Sequence, residues 1–389
     1  MTISPKETIL PNLNPDTNLG EVEVGESYTI PLSERRVVTQ AYDLSIQTII
    51  EQWDDRILEL PEIQRGYVWD DARASRLIES LLLNIPIPVV YFAETEDAQW
   101  EIIDGHQRIK SVVRFVKNEF RLSSLMVLGD FKGFRYHQLP QREQRYLLHR
   151  TMRAVVLSPD SHPKIKFEVF ERLNTGSLAL NAQELRNSLY RGEFNRLLRQ
   201  LPHNDDFRAI LGTRAPRKRM VDEELILRFL AFLDGLAKYS PSLKVFLNDY
   251  MKRFQNASDG VLEELRSTFE ETIARVRSIL GTSAFRLTNQ YGVPVERTVN
   301  RALFDAQMLS FSWTDESHLS SKRTQILKSL AALYEDEEFL DSIRRATGDR
   351  SRTLTRVHGV SEALRRSGVS LNIPKDVGDA FERLSEEQS

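Results

Sequence analysis

The sequence predicts a mixed α/β first half followed by an all-helical second half. Up to about residue 190, short apolar runs rich in β-branched residues alternate with amphipathic helical stripes, as in an α/β layer. Beyond about residue 192 the helical stripes continue without a convincing strand among them. The organising stretch is 100–120, where a strand, a glycine turn and a helix follow one another without a spacer.

Taken in order, the first thirty or so residues are polar and punctuated by Pro5, Pro11, Pro15 and Pro31, which reads as an extended arm over 1–30. Asp43 is a candidate N-cap for a short helix striped by Leu44, Ile46, Ile49, Ile50 and Trp53. A strand over 58–61 leads into Gln64-Arg65-Gly66-Tyr67-Val68-Trp69. Asp70 or Asp71 then caps a helix whose apolar face is Ala74, Leu77, Ile78, Leu81 and Leu82. Ile85-Pro86-Ile87-Pro88 cannot continue that helix, and 89–92 is a strand.

Trp100, Ile102 and Ile103 form the next strand, broken by a turn at Asp104-Gly105. Ile109, Val112, Val113, Val116 and Phe120 supply the stripe of the helix that follows. A loop through Gly129 and Gly133, a helix over 140–148, a strand over 154–157 and a helix over 164–173 come next. Asn174-Thr175-Gly176 stops the last of these, and Asn181 with Glu184 is a capping box opening another. The α/β domain therefore spans 31–191. In the helical domain, 192–389, helices are expected over 225–236, 243–254, 261–280, 300–311, 322–334 and 339–345, with a solvated acidic tail. No internal repeat is present.

The 389 residues suffice for two cores, and 41% hydrophobic with 28% charged residues is a globular composition. A net charge of −3 means that any nucleic-acid contact needs a local basic patch. With no cysteine, disulfides, thiolate zinc sites and cysteine nucleophiles are excluded, and a cytoplasmic location is expected. Neither a signal-peptide pattern nor a membrane-length apolar run is found, so no membrane partner is expected. The seven histidines form no pair at metal-ligand spacing, and no nucleophile elbow or Walker A pattern occurs.

The chemistry-bearing candidates cluster on a few segments. A helix starting directly after Gly105 points free N–H groups at an anion, while Asp104 with Gln107 also fits an ordinary capping box. The capping box leaves Arg108, Lys110 and titratable His106 unexplained in the first turns, where the macrodipole disfavours cations; a bound phosphate reverses that sign. Gln64, Arg65, Tyr67 and Trp69 lie between a strand and a helix, so Arg65 could clamp a phosphate while the rings stack on a base, or the rings could be packing elements. Glu168 and Glu171 could hold a divalent cation, with Asn174 touching a ligand; Glu168 with Arg172 also fits a surface i,i+4 pair. Arg214-Ala-Pro-Arg-Lys-Arg219 is the densest basic run, either a nucleic-acid contact or a solvated loop.

Together these motifs resemble the N-terminal domain of GmrSD-type restriction endonucleases. The likeness runs from about Leu44 to Tyr190 through Pro61-x-x-Gln64-Arg65-Gly66-Tyr67-x-Trp69, Pro86-x-Pro88, Ile103-Asp104-Gly105-His106-Gln107-Arg108, Phe170-x-Arg172-Leu173-Asn174-Thr175-Gly176 and Glu184-Leu185-Arg186. It implies a ParB-like fold and nucleotide binding and hydrolysis in systems that restrict modified phage DNA. Asp104, Gly105, Gln107 and Arg108 match the family's Asp-Gly-Gln-Gln-Arg signature, and Ser111 keeps its following hydroxyl. His106 replaces the first glutamine and Lys110 a small hydroxyl residue. Many relatives carry a C-terminal His-Asn-His nuclease; here His203, His318 and His358 are too far apart for one. The segment 297–304 resembles instead the helical tail of stand-alone members, so a separate effector protein is expected.

The resulting expectation is a nucleoside triphosphate held with Mg2+ at the start of the Gly105 helix. Asp104, Gln107 and Arg108 would act on it, Gln64, Arg65, Gly105, His106, Ser111 and Asn174 would bind it, and Glu168 and Glu171 would be metal ligands. The leading reading is an NTP-hydrolysing sensor of an anti-phage system. Its competitors are a DNA-binding or nicking protein using the same basic groove and a non-catalytic, antitoxin-like adaptor, and a homo-oligomer is open to each.

Overall fold

In the computed structural model, which describes residues 37–59, 67–95, 97–161, 163–173, 181–315 and 319–387, five strands of the first half form one sheet. The expected arm over 1–30 and the segments holding Gln64, Arg65 and Asn174 lie outside the described residues. The described residues divide into one unit ending at Arg191 and a second beginning at Gly192.

The first unit runs β1 (Thr39–Ser45), α1 (Ile46–Asp54), β2 (Leu58–Glu59), α2 (Asp71–Leu82), β3 (Val90–Glu94), β4 (Trp100–Asp104), α3 (His106–Val116), α4 (Gln141–His149), β5 (Thr151–Leu157), α5 (Pro163–Leu173) and α6 (Ala182–Leu189). Sheet order is β1-β5-β3-β4-β2. Pairing is antiparallel between β1 and β5, parallel between β5 and β3, antiparallel between β3 and β4 and parallel between β4 and β2. The period-2 alternation of the strands sorts the apolar residues onto two faces. Val90, Phe92 and Ile102 join Ile49, Ile78, Ile109, Val112 and Leu147 of α1 to α4 in one core. Ala93, Ile103 and Leu157 face the other way, onto Phe167 of α5 and Leu185 of α6. A sheet covered on both sides explains why β3 and β4 read as near-continuous apolar runs.

The start of the first helix differs from expectation. Asp43 and Leu44 belong to β1, and Ser45 caps α1, accepting from the Thr48 N–H at 3.0 Å. Asp70 caps α2 by accepting from Arg73 N at 2.7 Å, and the Asn181–Glu184 capping box opens α6.

The second unit contains α7 (Glu193–Gln200), α8 (Asp205–Leu211), α9 (Val221–Gly235), α10 (Leu243–Phe254), α11 (Asp259–Leu280), α12 (Arg301–Ser312), α13 (Arg323–Leu333), α14 (Glu337–Arg344), α15 (Arg350–Arg366) and α16 (Lys375–Glu387). α12 is buried from Ala302 to Phe311 and packs against α9, α11, α14 and α15. Extended pairing among the described residues here is confined to the isolated bridges Thr288–Pro294 and Thr314–Leu371. The acidic tail is not merely solvated: it is α16, which buries Val377, Ala380, Phe381 and Leu384.

Candidate functional site

The turn between β4 and α3 is shaped by Gly105. Its φ of +99° lies where side chains are strongly disfavoured, and a Cβ there would sit 2.4 Å from Val90 Cγ1. Gly105 is itself the N-cap of α3, no side chain among the described residues caps the helix, and its first turn holds no acidic residue. The capping box expected from Asp104 and Gln107 does not form, because both side chains are engaged elsewhere.

Asp104 Oδ2 accepts from Arg108 Nη2 at 2.6 Å, leaving the Asp104 side chain 38% exposed. Arg108 Nη1 also donates to the carbonyls of Pro88 and of Val89, the latter at 3.3 Å. Arg108 is thus a fork that ties α3 to the turn before it and to the chain entering β3. Burial lowers its pKa, against the opposing pull of the Asp104 carboxylate.

Gln107 Oε1 accepts from the N–H groups of Val68 at 3.0 Å and Trp69 at 3.2 Å, stapling the segment before α2 onto the first turn of α3. A turn further on, Ser111 is fully buried and donates to Gln107 O at 2.6 Å, so the Tyr67 hydroxyl, 2.9 Å away, donates to Ser111 Oγ. Arg114 lies 4.4 Å over the Tyr67 ring and Arg73 4.6 Å over Trp69. Both rings are therefore half-buried packing elements, and Trp69 rests on the core cluster.

The first-turn cations find a partial explanation without a ligand: Arg108 is offset by Asp104, and Lys110 Nζ sits 5.0 Å over the Trp53 ring. His106 is pushed down to about 4, by burial first and then by Lys110, so its imidazole is neutral at neutral pH. The unsatisfied feature is the helix start itself, whose N–H groups have no side-chain cap among the described residues.

The structure thus brings Asp104, Gly105, His106, Gln107, Arg108 and Ser111 together around one turn. Gln64, Arg65 and Asn174 lie outside the described residues. Glu168 and Glu171 are on α5, Glu168 lying 3.5 Å from Arg172. Among the described residues, no group of three or more His, Asp or Glu side chains is placed to hold a metal ion.

Two features escape the sequence pattern. Glu101 of β4 is buried and contacts Arg191 at 2.5 Å; burial, opposed by Arg191 and reinforced by Glu59, pushes it up to about 7. The only local signal is a carboxylate between Trp100 and Ile102 in an apolar strand. The second is Glu79 of α2, which gathers three consecutive backbone N–H groups: Met126 and Leu128 at 2.9 Å and Val127 at 2.7 Å. Nothing in the spacing of 79 and 126 announces that contact.

Residues 46–191 match the family model described as GmrSD restriction endonuclease, N-terminal domain. The match covers most of the sheet domain and less than half of the chain. The match covers the whole Asp104–Ser111 constellation and associates the chain with restriction systems. No curated protein matches the chain. No helix among the described residues is long and apolar enough to cross a membrane.

Proposed function

We propose that the GmrSD-type domain, of ParB-like fold, binds a nucleoside triphosphate at the start of α3 and hydrolyses it. In this reading the protein is the sensor component of an anti-phage restriction system and acts with a separate effector. The observation that carries it is the turn at Gly105. The glycine lets α3 start tight against β3, and among the described residues the N–H groups of α3 are left without a side-chain cap beside a charged Asp104–Arg108 pair.

The roles follow from the placements. The N–H groups at the head of α3 cradle phosphate oxygens, and the helix dipole favours their charge. Arg108 positions the turn and adds a fixed positive charge beneath the phosphates. Gln107 holds the Val68–Trp69 backbone against the site, and neutral His106 can both donate to and accept from a ligand. Asp104, with one oxygen on Arg108 and its side chain partly exposed, can accept a proton from an attacking water. Phosphoryl transfer asks mainly for such positioning and electrostatic stabilisation.

Magnesium fits this site as a companion of the triphosphate, since it needs only one or two protein carboxylates. Asp104 is the carboxylate at the turn; Glu168 and Glu171 lie on α5, which packs on the face of the sheet opposite α3, so the ligand role expected for them does not carry over. When bound, the ion neutralises phosphate charge.

Isothermal titration calorimetry of ATP, GTP, CTP and UTP with magnesium, followed by phosphate release, tests the reading. Saturable binding with turnover supports it. Binding without turnover removes the hydrolytic part, and no binding of any of them removes the site.

A further inference from the structure

The basic run Arg214-Ala-Pro-Arg-Lys-Arg219 plays no part in the nucleotide reading, yet its surroundings in the helical unit are unusual. Its floor is Asp222, fully buried at the start of α9, which accepts from Arg208 Nη2 at 2.5 Å, Arg217 Nε at 2.5 Å and Arg217 N at 2.8 Å. One carboxylate thus serves two guanidinium groups. Arg208 is only 7% exposed and also donates through Nη1 to Thr213 Oγ1 at 2.7 Å and Ala215 O at 2.5 Å. Its Nε is nevertheless buried without an acceptor, and so is Arg217 Nη2. A buried N–H left unpaired costs about 1–3 kcal/mol, more when charged, so two in one cluster call for an acceptor.

Arg286 adds to the surplus. Its Nε donates to Arg297 O at 2.8 Å and its Nη1 to Ala284 O at 3.0 Å and to Ile210 O and Thr282 O at 3.1 Å. Carbonyls fix the fork in place but cancel none of its charge. Burial, and then the like charge of Arg217, push its pKa down.

Around these sit Arg214, Lys218 and Arg297, all exposed and without an ion pair among the described residues. The neighbouring acids do little to balance them. Asp206 is paired with Arg277 and Glu296 with Arg344, while Glu223 is buried and pushed up to about 7 by that burial. The whole chain carries a formal charge of −3, so this patch is a local inversion of sign.

We propose that Arg214, Arg217, Lys218, Arg286 and Arg297, on a floor held by Arg208 and Asp222, form a phosphodiester-binding surface that takes the sugar-phosphate backbone of a nucleic acid. The buried Arg208 and Arg217 pairs with Asp222 fix the 214–219 loop in place, and the exposed cations, carried on two separate loops, meet successive phosphates. This surface lies outside the matched family segment, and the inference does not depend on the nucleotide site.

The test is fluorescence anisotropy of a short labelled DNA duplex of mixed sequence, titrated with the full chain at several sodium chloride concentrations. The comparison is the triple variant Arg214→Ala/Lys218→Ala/Arg297→Ala, whose changes are exposed and leave the Asp222 pairs intact. Wild type should bind with a steep salt dependence, and the variant should lose affinity and flatten the log–log slope by roughly three. Absence of duplex binding, or equal slopes in the two proteins, overturns the proposal. Competition by inorganic phosphate stronger than that of sodium chloride at equal ionic strength assigns a single-phosphate pocket and overturns the backbone reading. Unaltered thermal unfolding and nucleotide binding in the variant keep the result separate from misfolding and from the α3 site.

Discussion

Gly105 is the residue on which the site geometry turns. Its left-handed φ and the 2.4 Å approach of a hypothetical Cβ to Val90 Cγ1 act together, so Gly105→Ala strains the backbone and displaces a buried strand residue. We expect a loss of about 2–6 kcal/mol, from about 1–3 kcal/mol for each effect, read as a lower urea midpoint at unchanged slope. An unshifted midpoint contradicts the tight approach of α3 to β3. The glycine turn is legible in the sequence because Asp-Gly after an apolar run is local chemistry. The partners of Asp104 and Gln107 are not. A carboxylate at that position can cap a helix or pair with a cation four residues on, and the choice is settled by Pro88 and Val89, which bring carbonyls that hold Arg108 in place.

At the scale of elements, Glu79 shows how a helix can organise a loop. Burial raises the pKa of its carboxyl, but the N–H groups of Leu128, Val127 and Met126, helped by Arg76, outweigh that and lower it overall. The stabilisation is therefore present at neutral pH, above the ordinary carboxylate range, and is lost as pH falls through the depressed value of the folded state. Glu79→Gln should destabilise at neutral pH by about 1–2 kcal/mol, since hydrogen bonds to a charged acceptor become neutral ones. The gap between wild type and variant should close in acid, as followed by urea unfolding at both pH values. A pH-independent gap contradicts a charged acceptor. Other elements mark where local patterns succeed and fail. α2, α10 and α12 carry clean apolar stripes and lie close to where the sequence puts them. β1, with the sequence TQAYDLS and mostly exposed, lacks an apolar alternation and is defined by its partner β5. In α15 and α16 the apolar positions are present at helical spacing, but dense arginines in one and acids in the other dilute the signal.

Across the molecule, the least legible interactions are those joining distant segments. In the helical unit, Asp305 of α12 accepts from Arg228 Nη2 of α9 at 2.5 Å and from Arg356 Nη2 of α15 at 3.2 Å, over separations of 77 and 51 residues. All three side chains are 0–5% exposed, and no periodicity can announce such a triad. Asp305→Asn leaves two buried guanidinium groups uncompensated and should cost about 3–5 kcal/mol in chemical unfolding; a change within error contradicts a charged triad. The mixed sheet, the helical second half and the family are legible because they rest on local pattern and ordered motifs. The account as a whole stands on phosphates sitting at the head of α3. Its most direct measurement is calorimetric affinity for magnesium nucleotides in wild type and Gln107→Glu. That change keeps an acceptor for Val68 and Trp69 N–H and preserves the staple, but places a negative charge in the first turn. Thermal unfolding should be no lower than in wild type, since a carboxylate in the first turn favours the helix, while triphosphate affinity falls about tenfold or more, equivalent to roughly 1.4 kcal/mol. Equal affinity in the two proteins contradicts phosphate binding at this helix.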